Sequence, residues 1–176
     1  MIANDVLRRL RFALNLSDKE MVAIFKLADH DIPVYHLYNL MRKEDEKGYV
    51  LCHDDVLARF LDGLIIHRRG KQEGRETDYL PKGQQISKNE ILRKLRIALE
   101  LKDSDIIDMM KLADFRVTKA ELSAIFRRKG HRNYKECGNQ FLRNFISGLT
   151  LKLRKDLPPK KLSAEKEGRK TVTPKG

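Results

Sequence analysis

The chain has 176 residues, 41% of them apolar and 35% charged, and a formal net charge of +12. That length allows one ordinary domain or two small ones, and no apolar run reaches the roughly 18 residues that suggest a membrane span. A surplus of cations this large favours an anionic partner, although it says nothing about fold.

The opening stretch MIANDVLRRLRFALNL carries arginines inside its apolar pattern, which argues against a signal peptide. Its spacing predicts a helix from about Asp5 to Asn15, with Leu7, Leu10 and Leu14 on one face and Asn4 placed to cap it. Ser17 and Glu20 have capping-box spacing and open a second helix carrying Met21, Ile24, Phe25 and Ala28. Pro33 stands where a third helix tolerates proline in its first turn. A fourth carries Leu57, Phe60, Leu61 and Leu64, with Gly63 in its interior, where glycine costs about 1 kcal/mol relative to alanine. The segment 72–87 is polar, contains Gly and Pro, and reads as a linker.

The pattern then begins again. A shift of 85 residues aligns Asn4 with Asn89 and continues without a gap to Lys71 and Asp156, with 22 of 68 aligned positions identical. Two copies of one supersecondary unit explain this economically. In the second copy Thr118 and Glu121 form the capping box of the third helix, and Leu142, Phe145, Ile146 and Leu149 line the fourth. Gly148 matches Gly63, which predicts that a neighbouring helix approaches closely at both places. No stretch alternates with period two over a strand's length. The expected fold is all-α, a tandem duplication of a four-helix module: repeat 1 over residues 1–71, the linker over 72–87, repeat 2 over 88–156, and a disordered basic tail over 157–176.

Charge divides the copies. Repeat 1 holds 12 basic against 11 acidic residues, repeat 2 holds 17 against 9, and the tail 6 against 2. Where repeat 1 has RKEDEKGY, repeat 2 has RRKGHRNY. The second stretch suits phosphates, whereas the first would repel them.

Catalysis would leave a polar constellation in at least one copy. His53, Asp54 and Asp55 are the most suggestive cluster, but they begin a helix, where carboxylates favour the dipole. Repeat 2 has Gly138, Asn139 and Gln140 in that place. Cys52 and Cys137 occupy matching positions far apart in the chain, which favours a reducing cytoplasm over a disulfide scaffold. Each precedes a helix whose dipole would activate an exposed thiol; a small buried residue closing the helix entry is the commoner role of a free cysteine. His131 and Cys137 alone do not make a zinc site. No phosphate-loop, dinucleotide, hydrolase or zinc-protease motif occurs. No catalytic, cofactor or metal residue is therefore assigned.

Asp18/Asp103, Lys26/Lys111 and Asp29/Asp114 persist between copies near helix ends, which suggests caps and surface ion pairs. Arg11 should lay its stem along the apolar stripe of the first helix and pair outward.

The residues quoted so far, with KEDEKGYVLC, VLARFLDGLIIHRRG and ELSAIFRRKGHRNYKECGNQFLRNFISGL, resemble the YehS-like family of uncharacterised bacterial proteins over nearly everything from Asn4 to Lys155. The resemblance implies a duplicated domain in a bacterial cytoplasm and brings no activity with it. In layout, each copy is also similar to the helix-turn-helix domain of phage repressors. That similarity implies that the helix from Thr118 to Arg128 takes the recognition position, with Lys119, Ser123 and Arg127 facing a groove. Tyr35, His36, Asn39 and Arg42 would take it in repeat 1. The turn ADFRVT departs from the pattern, being about three residues longer than usual and lacking glycine.

The expectation is a cytoplasmic, non-catalytic, nucleic-acid-binding protein that does not enter membranes. It would grip DNA or RNA through Lys119, Ser123, Arg127, Arg128, Lys129, Arg132, Tyr134, Lys135 and Arg143. Lys152, Arg154 and Lys155 would extend that surface. Tyr134 would stack on a base, or else anchor a turn as its match Tyr49 would. The other expectation is a protein–protein adaptor for an acidic partner.

Overall fold

The computed structural model describes residues 1–74 and 76–157, so all of the basic tail but Leu157 lies outside the described residues. The described residues form eight helices and no strand. Repeat 1 folds as α1 (Ala3–Ala13), α2 (Asp18–Leu27), α3 (Val34–Met41) and α4 (Asp54–Arg69). Repeat 2 folds as α5 (Lys88–Leu99), α6 (Asp103–Leu112), α7 (Lys119–Phe126) and α8 (Asn139–Leu153).

The starts of α2 and α7 are fixed by local chemistry. Ser17 accepts from the Glu20 amide while Glu20 accepts from the Ser17 amide, and Thr118 and Glu121 repeat the exchange. Each exchange satisfies two amides that a helix start otherwise leaves without partners. The ends of the first and second helices share another device. Asn15, Asp29, Glu100 and Asp114 all adopt left-handed backbone angles, with φ between 52° and 56°. They are two matched pairs in the 85-residue register, so the expected role of Asp29 and Asp114 as end residues is fulfilled through the backbone.

Asn4 does not cap α1. Ile2 precedes the helix without a side-chain cap, and Asn4 is a fully buried residue within it. Its Nδ2 donates to the carbonyls of Leu40, at 3.0 Å, and Val50, at 2.9 Å, and its Oδ1 accepts from the Cys52 amide at 2.8 Å. Asn89 does the same in repeat 2, donating to Ile125 and Lys135 at 2.9 Å each and accepting from Cys137 at 2.8 Å. A single amide thus ties the first helix of each repeat to the end of the third and to the extended segment before the fourth. An asparagine ahead of an apolar run looks like a cap, and only the three-dimensional closure reveals a bracket.

The two glycines do mark close approaches. A Cβ on Gly63 would lie 1.9 Å from the Ile24 carbonyl oxygen, and one on Gly148 would lie 2.2 Å from that of Met109. Ile24 and Met109 are themselves matched in the register, so α2 meets α4 and α6 meets α8 in the same geometry.

Between repeats the packing is crosswise. Helix α5 lies on α4, and α1 lies on α8, so the first helix of each repeat covers the last helix of the other. This is the self-complementary contact of a twofold dimer, realised inside one chain. The core is continuous through both repeats, with Phe25, Phe60 and Phe145 fully enclosed. Each large apolar side chain so buried contributes about 1.5–3 kcal/mol.

The linker is pinned to repeat 1. Tyr79 lies beneath the Arg59 guanidinium, 3.7 Å from ring centroid to carbon, and donates to Asp29 at 2.9 Å. Arg59 in turn donates to the Ala28 carbonyl at 2.8 Å. Farther along, the Ile86 amide donates to Asp54 at 3.0 Å, which employs one carboxylate of the His53-Asp54-Asp55 cluster in holding the chain.

Candidate functional site

The stretch after α7 begins where Arg127 leaves the helix with extended backbone angles. Two turns then close it, from the Arg128 carbonyl to the His131 amide and from the His131 carbonyl to the Tyr134 amide. Lys135 returns its amide to the Ala124 carbonyl and its own carbonyl to Asn89. The basic loop is therefore anchored at its exit by backbone, and His131 Nδ1 accepts from the Asn133 amide within it at 3.1 Å.

Arg127, Arg128 and Lys129 line one cleft of about 680 Å³ together with Tyr134. All three cations are exposed, and none forms an ion pair among the described residues. Buried Ile125 and half-buried Phe126, Leu80 and Ile86 add apolar surface to a lining shared with polar Gln85, Ser87, Asn89 and Glu90. Arg93 also reaches the cleft, but Glu90 accepts from its Nε at 2.9 Å and pairs with its guanidinium. That hydrogen bond holds the Glu90 carboxyl below its usual range and raises Arg93, so the pair contributes little net charge.

Tyr134 differs from its match. The Tyr49 hydroxyl donates to Asn4 at 3.3 Å, whereas no such bond ties Tyr134 to Asn89. It is half-buried and lines the cleft.

Five other residues expected at the surface lie elsewhere. Lys119 and Ser123 sit on α7 outside the cleft, the first exposed and the second half-buried. Arg132 and Lys135 are exposed but do not line it. Arg143 is half-buried on α8, with its Nε enclosed and unpartnered. Arg154 is also withdrawn from any external surface. It is 8% exposed, donates to the Phe12 carbonyl at 2.6 Å and pairs with Asp156 at 3.0 Å. Lys152 lies 3.7 Å from the Asp105 carboxylate. Arg154 thus serves the joint between repeats, because crosswise packing brings α8 against α1, whereas Lys152 pairs within repeat 2.

Arg11 pairs with Asp18 and donates to the Leu16 carbonyl at 3.2 Å, and Arg96 pairs with Asp103 at 2.9 Å. Both cysteines are buried, Cys52 at 3% and Cys137 at 4% exposure. Burial pushes their thiols up to about 12 and about 11 respectively, which makes them structural rather than reactive. No helix among the described residues is long and apolar enough to cross a membrane.

A family model described as "Protein of unknown function (DUF1456)" matches residues 3–70 and again residues 88–155. The chain belongs to the DUF1456 family. A similar protein, "Uncharacterized protein YehS" of Escherichia coli (strain K12), is 40% identical over 149 residues, which cover 85% of this chain and 94% of the relative. No solved structure matches. Each DUF1456 match spans one set of four helices and stops short of residues 71–87. Leu80 and Ile86 therefore belong to neither DUF1456 repeat, and the cleft is a joint product of the second repeat and the linker.

Proposed function

We propose that the protein is a non-catalytic, nucleic-acid-binding protein of the cytoplasm whose contact surface is the cleft of repeat 2. One observation carries this: Arg127, Arg128 and Lys129 converge, without acidic partners, on a cleft that also presents Tyr134. Cations so placed attract phosphates and release their counterions. The acidic stretch of repeat 1 cannot do the same, and its Glu46 folds back to accept from the Lys43 amide at 3.0 Å. A helix-turn-helix-like use of α7 is unnecessary to this reading, since Lys119 and Ser123 lie outside the cleft.

The test is a salt titration of binding to labelled oligonucleotides by fluorescence anisotropy. Three phosphate contacts give a slope of log affinity on log salt near −3 for duplex and near −2 for single strands. Changing Arg127, Arg128 and Lys129 together to Glu should abolish binding. A flat titration, or a triple variant that binds like wild type, would remove the proposal.

An adaptor function draws on a separate observation. Val34, Tyr35 and Tyr38 on α3 are exposed by 45%, 71% and 48%. Nuclease-treated pull-downs that retain one acidic protein, lost on changing Tyr35 and Tyr38 to Ser, would favour that function instead.

A further inference from the structure

The chemistry of the cleft divides in two, and the division selects among nucleic acids. Its lining combines the three unpaired cations with the apolar side chains of Ile125, Phe126, Leu80 and Ile86, beside polar Gln85, Ser87, Asn89 and Glu90. A duplex presents phosphates and paired base edges, and keeps the faces of its bases inside the stack. It would use the cations and leave the apolar side chains wet. An unstacked base offers a flat apolar face attached to a phosphate, which matches both halves of the cleft. The volume of about 680 Å³ lies within the roughly 300–1,000 Å³ of sites that take small molecules. That suits a nucleotide or two and not a helix of base pairs.

Tyr134 supplies the stacking surface. In repeat 1 the matching hydroxyl is held by Asn4 and its loop carries Glu44, Asp45 and Glu46. In repeat 2 the bond to the asparagine is absent and the carboxylates are replaced by Lys129, Gly130 and His131. Two independent changes, one in bonding and one in charge, thus act on the same cleft. The other aromatic ring that lines the cleft, Phe126, already has the Arg96 guanidinium over one face at 4.6 Å. Tyr134 is therefore the ring left for a base.

We propose that the cleft binds single-stranded nucleic acid, with one base stacked on Tyr134 against the apolar side chains and the flanking phosphates held by Arg127, Arg128 and Lys129. This rests on the nucleic-acid function proposed above. A free nucleotide shares the base-plus-phosphate chemistry, but it offers one phosphate group to cations spaced along a loop, whereas a strand offers several.

The experiment compares full-length protein binding to twelve-nucleotide dT and rU strands, a twelve-base-pair hairpin duplex, and UMP as competitor. The strands should bind at least tenfold tighter than the duplex, and millimolar UMP should compete weakly. Tyr134→Ala should lose about tenfold on the strands, the range expected for one stacked base, and little on the duplex. Tyr134→Phe should retain wild-type affinity, and its circular dichroism melt serves as the control for folding. Equal affinity for strand and duplex, with Tyr134→Ala silent and the triple Glu variant inactive on both, would overturn the single-strand assignment and leave binding by the cations intact. Displacement by micromolar UMP would overturn it in favour of a mononucleotide. Absence of binding to every oligonucleotide would overturn both.

Discussion

The Lys94 ammonium on α5 is hydrogen-bonded to the Asp62 carboxylate on α4, and this pair joins the two repeats with side chains only 15% and 8% exposed. Breaking a buried pair by removing one partner leaves a charge enclosed without compensation and costs about 3–5 kcal/mol. Glu90, whose carboxylate is 4.0 Å from the same ammonium, offsets part of that loss. Asp62→Ala should therefore lower stability by about 3 kcal/mol in urea unfolding. The double variant Asp62→Leu with Lys94→Met should recover most of it. A single variant within about 1 kcal/mol of wild type would show that the pair is not enclosed in solution.

The matching joint between α1 and α8 is chemically different. In the 85-residue register Arg9 replaces Lys94 and Ser147 replaces Asp62, and the Ser147 hydroxyl is buried without a hydrogen-bond partner. An orphaned hydroxyl costs about 1–3 kcal/mol in desolvation, and alanine is also the better helix former. Ser147→Ala should stabilise the protein by about 1 kcal/mol and raise its melting temperature by a few degrees. A lower melting temperature would mean that the hydroxyl has a partner in solution.

The repeat, its eight helices and the boxes at Ser17/Glu20 and Thr118/Glu121 were legible because each is set by near neighbours in the chain. Gly63 and Gly148 were legible because the chain states the same costly residue twice. The crosswise packing was not legible, since no local period reports which surfaces of two similar modules meet. That unknown explains Arg154, which donates across to α1 and is buried where α8 lies on it. Tyr79 and Arg59 were passed over for a similar reason, as neither has a counterpart in the other copy to draw attention to it. Of the residues expected to bind, Arg127, Arg128, Lys129 and Tyr134 lie together because they share one short anchored loop.

Asn4 and Asn89 should prove the least replaceable polar residues. Each satisfies two carbonyls and one amide; the bonds to Leu40 or Ile125 and to the cysteine amide are buried, and the one to Val50 or Lys135 is partly so. Asn89→Ala strands all three, and each unsatisfied group costs about 1–3 kcal/mol. A loss of about 4 kcal/mol is expected, with Asn89→Asp nearly as damaging because it cannot donate to the two carbonyls. Chemical denaturation with matched m-values checks this, and a loss below about 2 kcal/mol would contradict the bracket.

Adding a methyl group at Gly148 tests the approach of α6 to α8. The new carbon would sit 2.2 Å from the Met109 carbonyl oxygen, a backbone atom that cannot rotate away. Helix propensity alone would favour alanine by about 1 kcal/mol, but overpacking costs about 1–3 kcal/mol or more. Contact with backbone places this case at the upper end, so a net loss of about 2 kcal/mol is expected. Gly63→Ala should behave alike, at 1.9 Å from Ile24. A variant more stable than wild type would show that the helices are farther apart.

The buried thiols give the protein a pH dependence on the alkaline side. Their ordinary value of 9.0 rises to about 12 for Cys52 and about 11 for Cys137, chiefly through burial. Below about pH 9 the thiols are protonated in both native and unfolded chains, and stability does not depend on them. Above it the unfolded chain loses these protons while the native chain keeps them, so unfolding is favoured as pH rises towards 11 and 12. Tyr38, Tyr49, Tyr79 and Tyr134 are also raised and act with the same sign, but their ordinary value of 10.0 delays their onset. The interval from pH 9 to 10 therefore belongs mainly to the cysteines. Urea midpoints should fall more steeply across it in wild type than when both cysteines are changed to Ala, whatever stability that double variant has at pH 7. Parallel slopes in the two proteins would mean that the thiols titrate alike folded and unfolded, and hence that they are not buried.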